Sequence, residues 1–343
     1  MGFLQGSSTP AAGHPIFAFW TWWSEGGMDE LTHAVATGEY GDLPDRIAAL
    51  TGAINPNLAW ELGAGSSAPY RFSLTAGGIA ELRPLAERWK RAAPPTNGIW
   101  EFASSIVRST DPLEGDISLD GRVISLELTR FAVTADNKRL RFNVVAYNPE
   151  FMYLSHEARL GATYLMLDWC LGEDDVERWI GTVDAATEVA TDSHTARELA
   201  ARVDALAARR DESEWALITR GARNGIPTIA SVRPWTRWID HPLLDQHNIL
   251  IVPFADMTDQ GLPSPAALSV LRAIEDDLVF RFGQTGILVA HETCAGARTL
   301  HFYTDSNDQN VSESLQRWVA ALGDVEIDQV ADPSWQRVRE LTG

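Results

Sequence analysis

The sequence predicts an α+β protein of two domains, each an antiparallel or mixed sheet covered by helices. Three observations carry that expectation. The chain has 343 residues, and domains run to roughly 100–200 residues each. Short alternating runs mark half-buried strands, as where Leu140, Phe142 and Val144 alternate with Arg141 and Asn143. Helical stretches fall between the strands without a strict strand–helix alternation, which points away from a purely parallel sheet.

Residues 1–15 read as a disordered lead-in, without the basic start and apolar centre of a secretory signal. An N-terminal α+β domain is expected over 16–189. Its aromatic opening, 17–23, fits either a strand or a first helical turn. Helices follow over 28–37 and over 43–54, where Leu43, Ile47 and Leu50 keep helical spacing. Strands at 58–62 and 70–75 are joined by a Gly- and Ser-rich stretch. A helix over 79–92 stops before Pro94-Pro95. Strands at 98–107, 123–133 and 140–147 lead into an apolar helix over 156–171, which Gly172 ends. A short strand over 176–183 completes this half.

Residues 190–212, rich in Ala, Arg, Asp and Glu, read as a solvated helical linker. A second domain is expected over 213–343, with strands at 215–219, 226–232 and 248–254. Ser264-Pro265 supplies an N-cap and a first-position proline for a helix reaching Phe282. A hairpin over 286–304, a helix over 311–322 and a strand over 325–330 follow. The β-α-β-β-α-β order of this tail predicts a ferredoxin-like layer.

Lys plus Arg total 28 against 47 Asp plus Glu, a net charge of -19. Phosphate backbones are bound by basic patches, so nucleic acid and anionic membranes are excluded as expected partners. A partner protein with a basic surface fits the charge instead. Two cysteines far apart, Cys170 and Cys294, make no disulfide framework and suggest a reducing compartment. No apolar run reaches the about 18 residues of a membrane span, and a cytoplasmic protein is expected.

The C-terminal third carries Gly261-Leu262-Pro263, the run Leu271 to Leu278, Leu288-Val289-Ala290, Gly296 to Tyr303, and Asp332-Pro333-Ser334-Trp335. On these residues it resembles the bacterial domain-of-unknown-function family numbered 695. Leu171 to Val176 (LGEDDV) is the landmark by which the N-terminal part resembles the companion domain found upstream in some such proteins. The family is distantly similar to the regulator of ribonuclease activity B, a small acidic inhibitor of a ribonuclease. The resemblance therefore implies an acidic protein-binding role and lends no catalytic residue.

Three groups of residues are candidates for chemistry. The aromatic segment offers Trp20, Trp22 and Trp23 as anchors for a partner, since buried aromatics dominate interfaces. The triplets Glu173-Asp174-Asp175 and Glu275-Asp276-Asp277 offer carboxylates for a divalent ion. Against that, successive helical side chains point about 100° apart, so three neighbours rarely chelate one ion. His241, His291, His301 and Arg298 could line a pocket. Nucleophile-elbow, Walker and His-Glu-x-x-His patterns are missing. The leading expectation is thus a non-enzymatic binding or regulatory protein of inhibitor or immunity type, with no cofactor. The alternatives are a metal-dependent hydrolase using both triplets and a small-molecule sensor with a pocket between the domains.

Overall fold

The computed structural model describes residues 14–95, 98–109, 113–223 and 226–342, so most of the expected lead-in lies outside the described residues. Two compact units form; among these residues one ends at Arg210 and the other begins at Asp211. Both combine helices with sheets, an α+β architecture. No described helix is long and apolar enough to cross a membrane.

The N-terminal unit opens with α1 (Pro15–Trp22), α2 (Met28–Thr37) and α3 (Leu43–Ile54). The aromatic opening is therefore helical. His14 caps it, Nδ1 accepting from the Ile16 amide at 3.2 Å, and Pro15 takes the first position. A kinked turn, Trp23–Gly27, joins α1 to α2, with Gly26 at φ 140°. Strands β1 (Ala59–Ala64) and β2 (Tyr70–Thr75) pair antiparallel; after α4 (Arg83–Arg91), β3 (Trp100–Ala103) joins β2 in parallel.

Alternation sorts this small sheet into two faces. Trp60, Phe72, Leu74 and Trp100 face the helices and meet Phe19, Trp20, Trp23, Ile47 and Trp89 in one core. Phe19 is its hub, touching the rings of Trp20, Trp23, Phe72 and Trp89.

The unit continues with the hairpin β4 (Asp116–Leu119) and β5 (Arg122–Ser125), then β6 (Arg130–Asp136) and β7 (Arg141–Tyr147). Helices α5 (His156–Leu171) and α6 (Glu173–Trp179) precede β8 (Ile180–Ala186), β9 (Ser193–His194) and α7 (Ala196–Ala207). A second sheet runs β8-β7-β6-β9. Helix α7 corrects the expectation of a solvated linker. Its Leu199, Ala200, Val203 and Leu206 are buried, and a Thr195–Glu198 capping box starts it. The charged composition of 190–212 hides an apolar stripe at helical spacing.

The C-terminal unit contains β10 (Ala216–Arg223), β11 (Ile226–Val232), β12 (Gln246–Pro253), α8 (Pro265–Phe282), β13 (Gly286–Cys294), β14 (Ala297–Thr304), α9 (Gln309–Ala321), β15 (Glu326–Ala331) and α10 (Gln336–Thr342). They build one six-stranded sheet in the order β10-β11-β13-β14-β12-β15, with every neighbouring pair antiparallel. Helices α8 and α9 lay Leu271, Leu278, Phe282, Leu315 and Trp318 on one face, against Leu250, Val252, Leu300 and Phe302. On the opposite face Trp335, just before α10, stacks on Tyr303 with ring centroids 4.5 Å apart. Ser264 caps α8 through Ala267 N, with Pro265 first in the helix.

Candidate functional site

An open groove of about 540 Å³ lies on the α1–α3 layer of the N-terminal unit, lined by Phe17, Trp22, Glu25, Gly27, Glu30 and Arg46 among others. The helical repeat decides which aromatics reach it. Trp20 and Trp23 turn inward with Phe19 and are only 6% and 3% exposed, which corrects their expected role as anchors. Trp20 is further fixed by its indole N–H, which donates to the Trp89 carbonyl at 2.9 Å. Trp22 alone of the three lines the groove.

The groove lies at the kink between α1 and α2. There the Trp22 indole lies over Gly27, and Gly26 adopts a φ that side chains resist. Glu30 is paired with Arg46 at 2.9 Å. Glu25 is exposed and makes no hydrogen bond or ion pair among the described residues. From residue 14 to 57 the acids are Glu25, Asp29, Glu30, Glu39, Asp42 and Asp45, against Arg46 as the one Lys or Arg.

The expected hairpin pocket is split by the sheet. In the β13–β14 register His291 lies opposite Leu300, which places it on the helix-covered face. There its Nδ1 is 3.4 Å from Glu275, which also holds Arg298 at 2.7 Å. Burial, together with the positive charge of Arg298, lowers the His291 pKa to about 4.

His301 points the other way. Its Nδ1 lies 3.1 Å from His247 Nε2, and its Nε2 lies 3.4 Å from Glu292. Glu292 reaches Arg220 at 3.2 Å, and Arg220 reaches Glu340 at 2.8 Å. His241 joins this side through ring stacking, on Trp335, then Tyr303, then His247. His247 is fully buried; burial first, then the charges of His301 and Arg337, push its pKa down to about 3. The Tyr303 hydroxyl donates to Asp332 at 2.8 Å. Residues 224–340 match the family of unknown function DUF695. No curated protein and no solved structure is significantly similar to the chain. The histidine–tyrosine–tryptophan stack and its Asp332 support thus lie inside the DUF695 region.

Five of the six triplet carboxylates are engaged by the chain's own donors. Glu173 accepts from Thr75 Oγ1, and from the Gly78 and Ile106 amides at 3.2 Å each. Arg83 forks onto Asp174, with its closest contact at 2.9 Å. Asp175 holds Arg178 and the Trp179 indole. In the DUF695 region Glu275 holds Arg298, while Asp277 accepts from Arg281 at 2.8 Å and from the Trp318 indole at 2.7 Å. Among the described residues no three His, Cys, Asp or Glu side chains gather as metal ligands.

One polar surface was not anticipated. The second face of the β1-β2-β3 sheet carries Glu61, Arg71, Ser73, Thr75 and Glu101, and α6 reaches it through Glu173. Asp168 of α5 is raised to about 7 by burial and by the carboxylates of Glu173 and Glu61. The alternation Tyr70-Arg71-Phe72-Ser73-Leu74-Thr75 signals a two-faced strand, but not that its polar face is covered.

Proposed function

We propose that the protein is a non-enzymatic binding module that docks a partner protein with a basic surface onto the α1–α3 layer. The supporting observation is the aromatic-lined groove set in a layer of six carboxylates and one arginine. Complementary charge speeds encounter and selects partners, while an aromatic side chain in a concave site supplies affinity. The engagement of five of the six triplet carboxylates by internal donors favours this reading over metal-dependent hydrolysis.

The experiment is capture from the host lysate on immobilised protein, at low and at physiological salt. Wild type is compared with Glu25→Gln/Asp29→Asn/Asp45→Asn. The expected result is one discrete basic protein, weakened by salt and weakened about tenfold by the variant, since exposed pairs contribute at most about 1 kcal/mol each. Equal retention by wild type and variant, or no specific retention even at low salt, overturns the proposal.

A further inference from the structure

The groove is lined by two aromatic rings, those of Phe17 and the half-buried Trp22, and by the exposed carboxylate of Glu25. Trp22 contributes its indole, whose buried Nε1–H makes no hydrogen bond among the described residues. Glu25, three residues on, contributes a carboxylate with no partner among the described residues. The remaining charged lining groups, Glu30 and Arg46, neutralise each other at 2.9 Å. The groove therefore has a net negative charge beside an aromatic surface, the combination that attracts a cation by both Coulomb and ring-quadrupole terms.

The shape of that cation is constrained. An indole is a flat partner and a carboxylate is a two-pronged one. A guanidinium is planar, weakly hydrated and forked, so it can stack on the first while pairing with the second. An ammonium is a compact, strongly hydrated point charge and gains less from either. At about 540 Å³ the groove is large enough for a whole side chain and some of its backbone. We infer that the groove is an arginine-side-chain site, with Trp22 as the stacking surface and Glu25 as the paired carboxylate. This rests on the proposed binding of a basic partner and names what that partner presents.

The kink places the site. Helix α1 ends at Trp22, Gly26 breaks the helical path at φ 140°, and the Trp22 indole rests against Gly27 beyond the break.

The test uses the full chain and two probes, N-acetyl-arginine methylamide and N-acetyl-lysine methylamide. The Trp22 indole N–H resonance is assigned by its loss in Trp22→Phe and followed through each titration. A saturable shift is expected, with arginine about fivefold tighter than lysine. Glu25→Gln, a substitution at an exposed side chain, should weaken arginine binding about threefold or more. No shift with the arginine probe overturns the inference, as does equal binding of the two probes or arginine binding that Glu25→Gln leaves unchanged. Partner capture separates the two levels. If the arginine probe fails while charge-dependent capture persists, the arginine assignment falls and the wider reading stands.

Discussion

The indole of Trp22 lies so close to Gly27 that a β-carbon on Gly27 would sit 2.5 Å from the ring atom Cε2. The contact fixes both the turn and the groove, so Gly27→Ala tests them together. Overpacking of this kind costs about 1–3 kcal/mol. We expect that loss in urea unfolding, together with a displaced Trp22 indole resonance. Gly26→Ala is the control: open space surrounds Gly26, but its φ of 140° strains any side chain. Its cost should leave the Trp22 resonance nearly in place. A Gly27→Ala protein as stable as wild type would show that the ring does not rest there.

Asp168 should make the protein less stable as pH rises. Its carboxyl ordinarily ionises near pH 3.8, and burial with Glu173 and Glu61 raises that to about 7 in the folded chain. Between those values the folded state holds a proton that the unfolded state has lost. Stability from this group is therefore full below about pH 4, falls toward pH 7 and is flat above. Asp168→Asn should match wild type near pH 4 and exceed it at pH 8 by on the order of 2 kcal/mol. Parallel stability curves for the two proteins would contradict the assignment.

Glu101 behaves in the opposite sense. Burial alone would raise its pKa, but the amides of Ser67 and Ser66 and both their hydroxyls donate to it and lower it to about 2. Stability from Glu101 is thus present above about pH 4.5 and lost as pH falls toward 2. The carboxylate ties the 65–68 loop to β3. Glu101→Gln keeps the shape but removes the charge from four hydrogen bonds, a loss of about 2 kcal/mol at pH 7 by chemical unfolding. Near pH 2 the two proteins should converge.

The strands and long helices were legible because each follows its own period: β7 alternates, and Ser264-Pro265 announces α8. The aromatic opening was ambiguous because a short apolar run satisfies both periods. The capping His14 and Pro15 were the signals that decide for a helix. The site residues were harder. Trp20, Trp22 and Trp23 look equivalent in sequence, and only their packing in the fold separates the two that are buried in the core from the half-buried one that also lines the groove. His291 and His301 look like one cluster until the register is known. A bulge between Leu288 and Ala290 shifts the pairing by one residue and sets His291 opposite Leu300, so the two histidines lie on different faces. The acidic triplets read as available ligands because the arginines and indoles that occupy them come from distant positions such as Arg83, Arg298 and Trp318.

The buried His247–His301 pair gives the DUF695 region its own acid response. His247 ordinarily protonates near 6.5, but burial, His301 and Arg337 lower that to about 3 in the folded chain. The imidazole is therefore neutral at pH 7, and one of the facing nitrogens donates while the other accepts across 3.1 Å. As pH falls below 6.5 the unfolded chain takes up a proton that folded His247 refuses, so stability drops until about pH 3. His247→Phe keeps the stack on Tyr303 while deleting the titration. At pH 7 it should cost about 1–2 kcal/mol, because His301 Nδ1 is left without its partner. Its deficit relative to wild type should then shrink steadily from pH 6.5 to pH 4. A deficit constant across that range would mean that His247 gains its proton as readily folded as unfolded, and that the pair is not the source of the acid response.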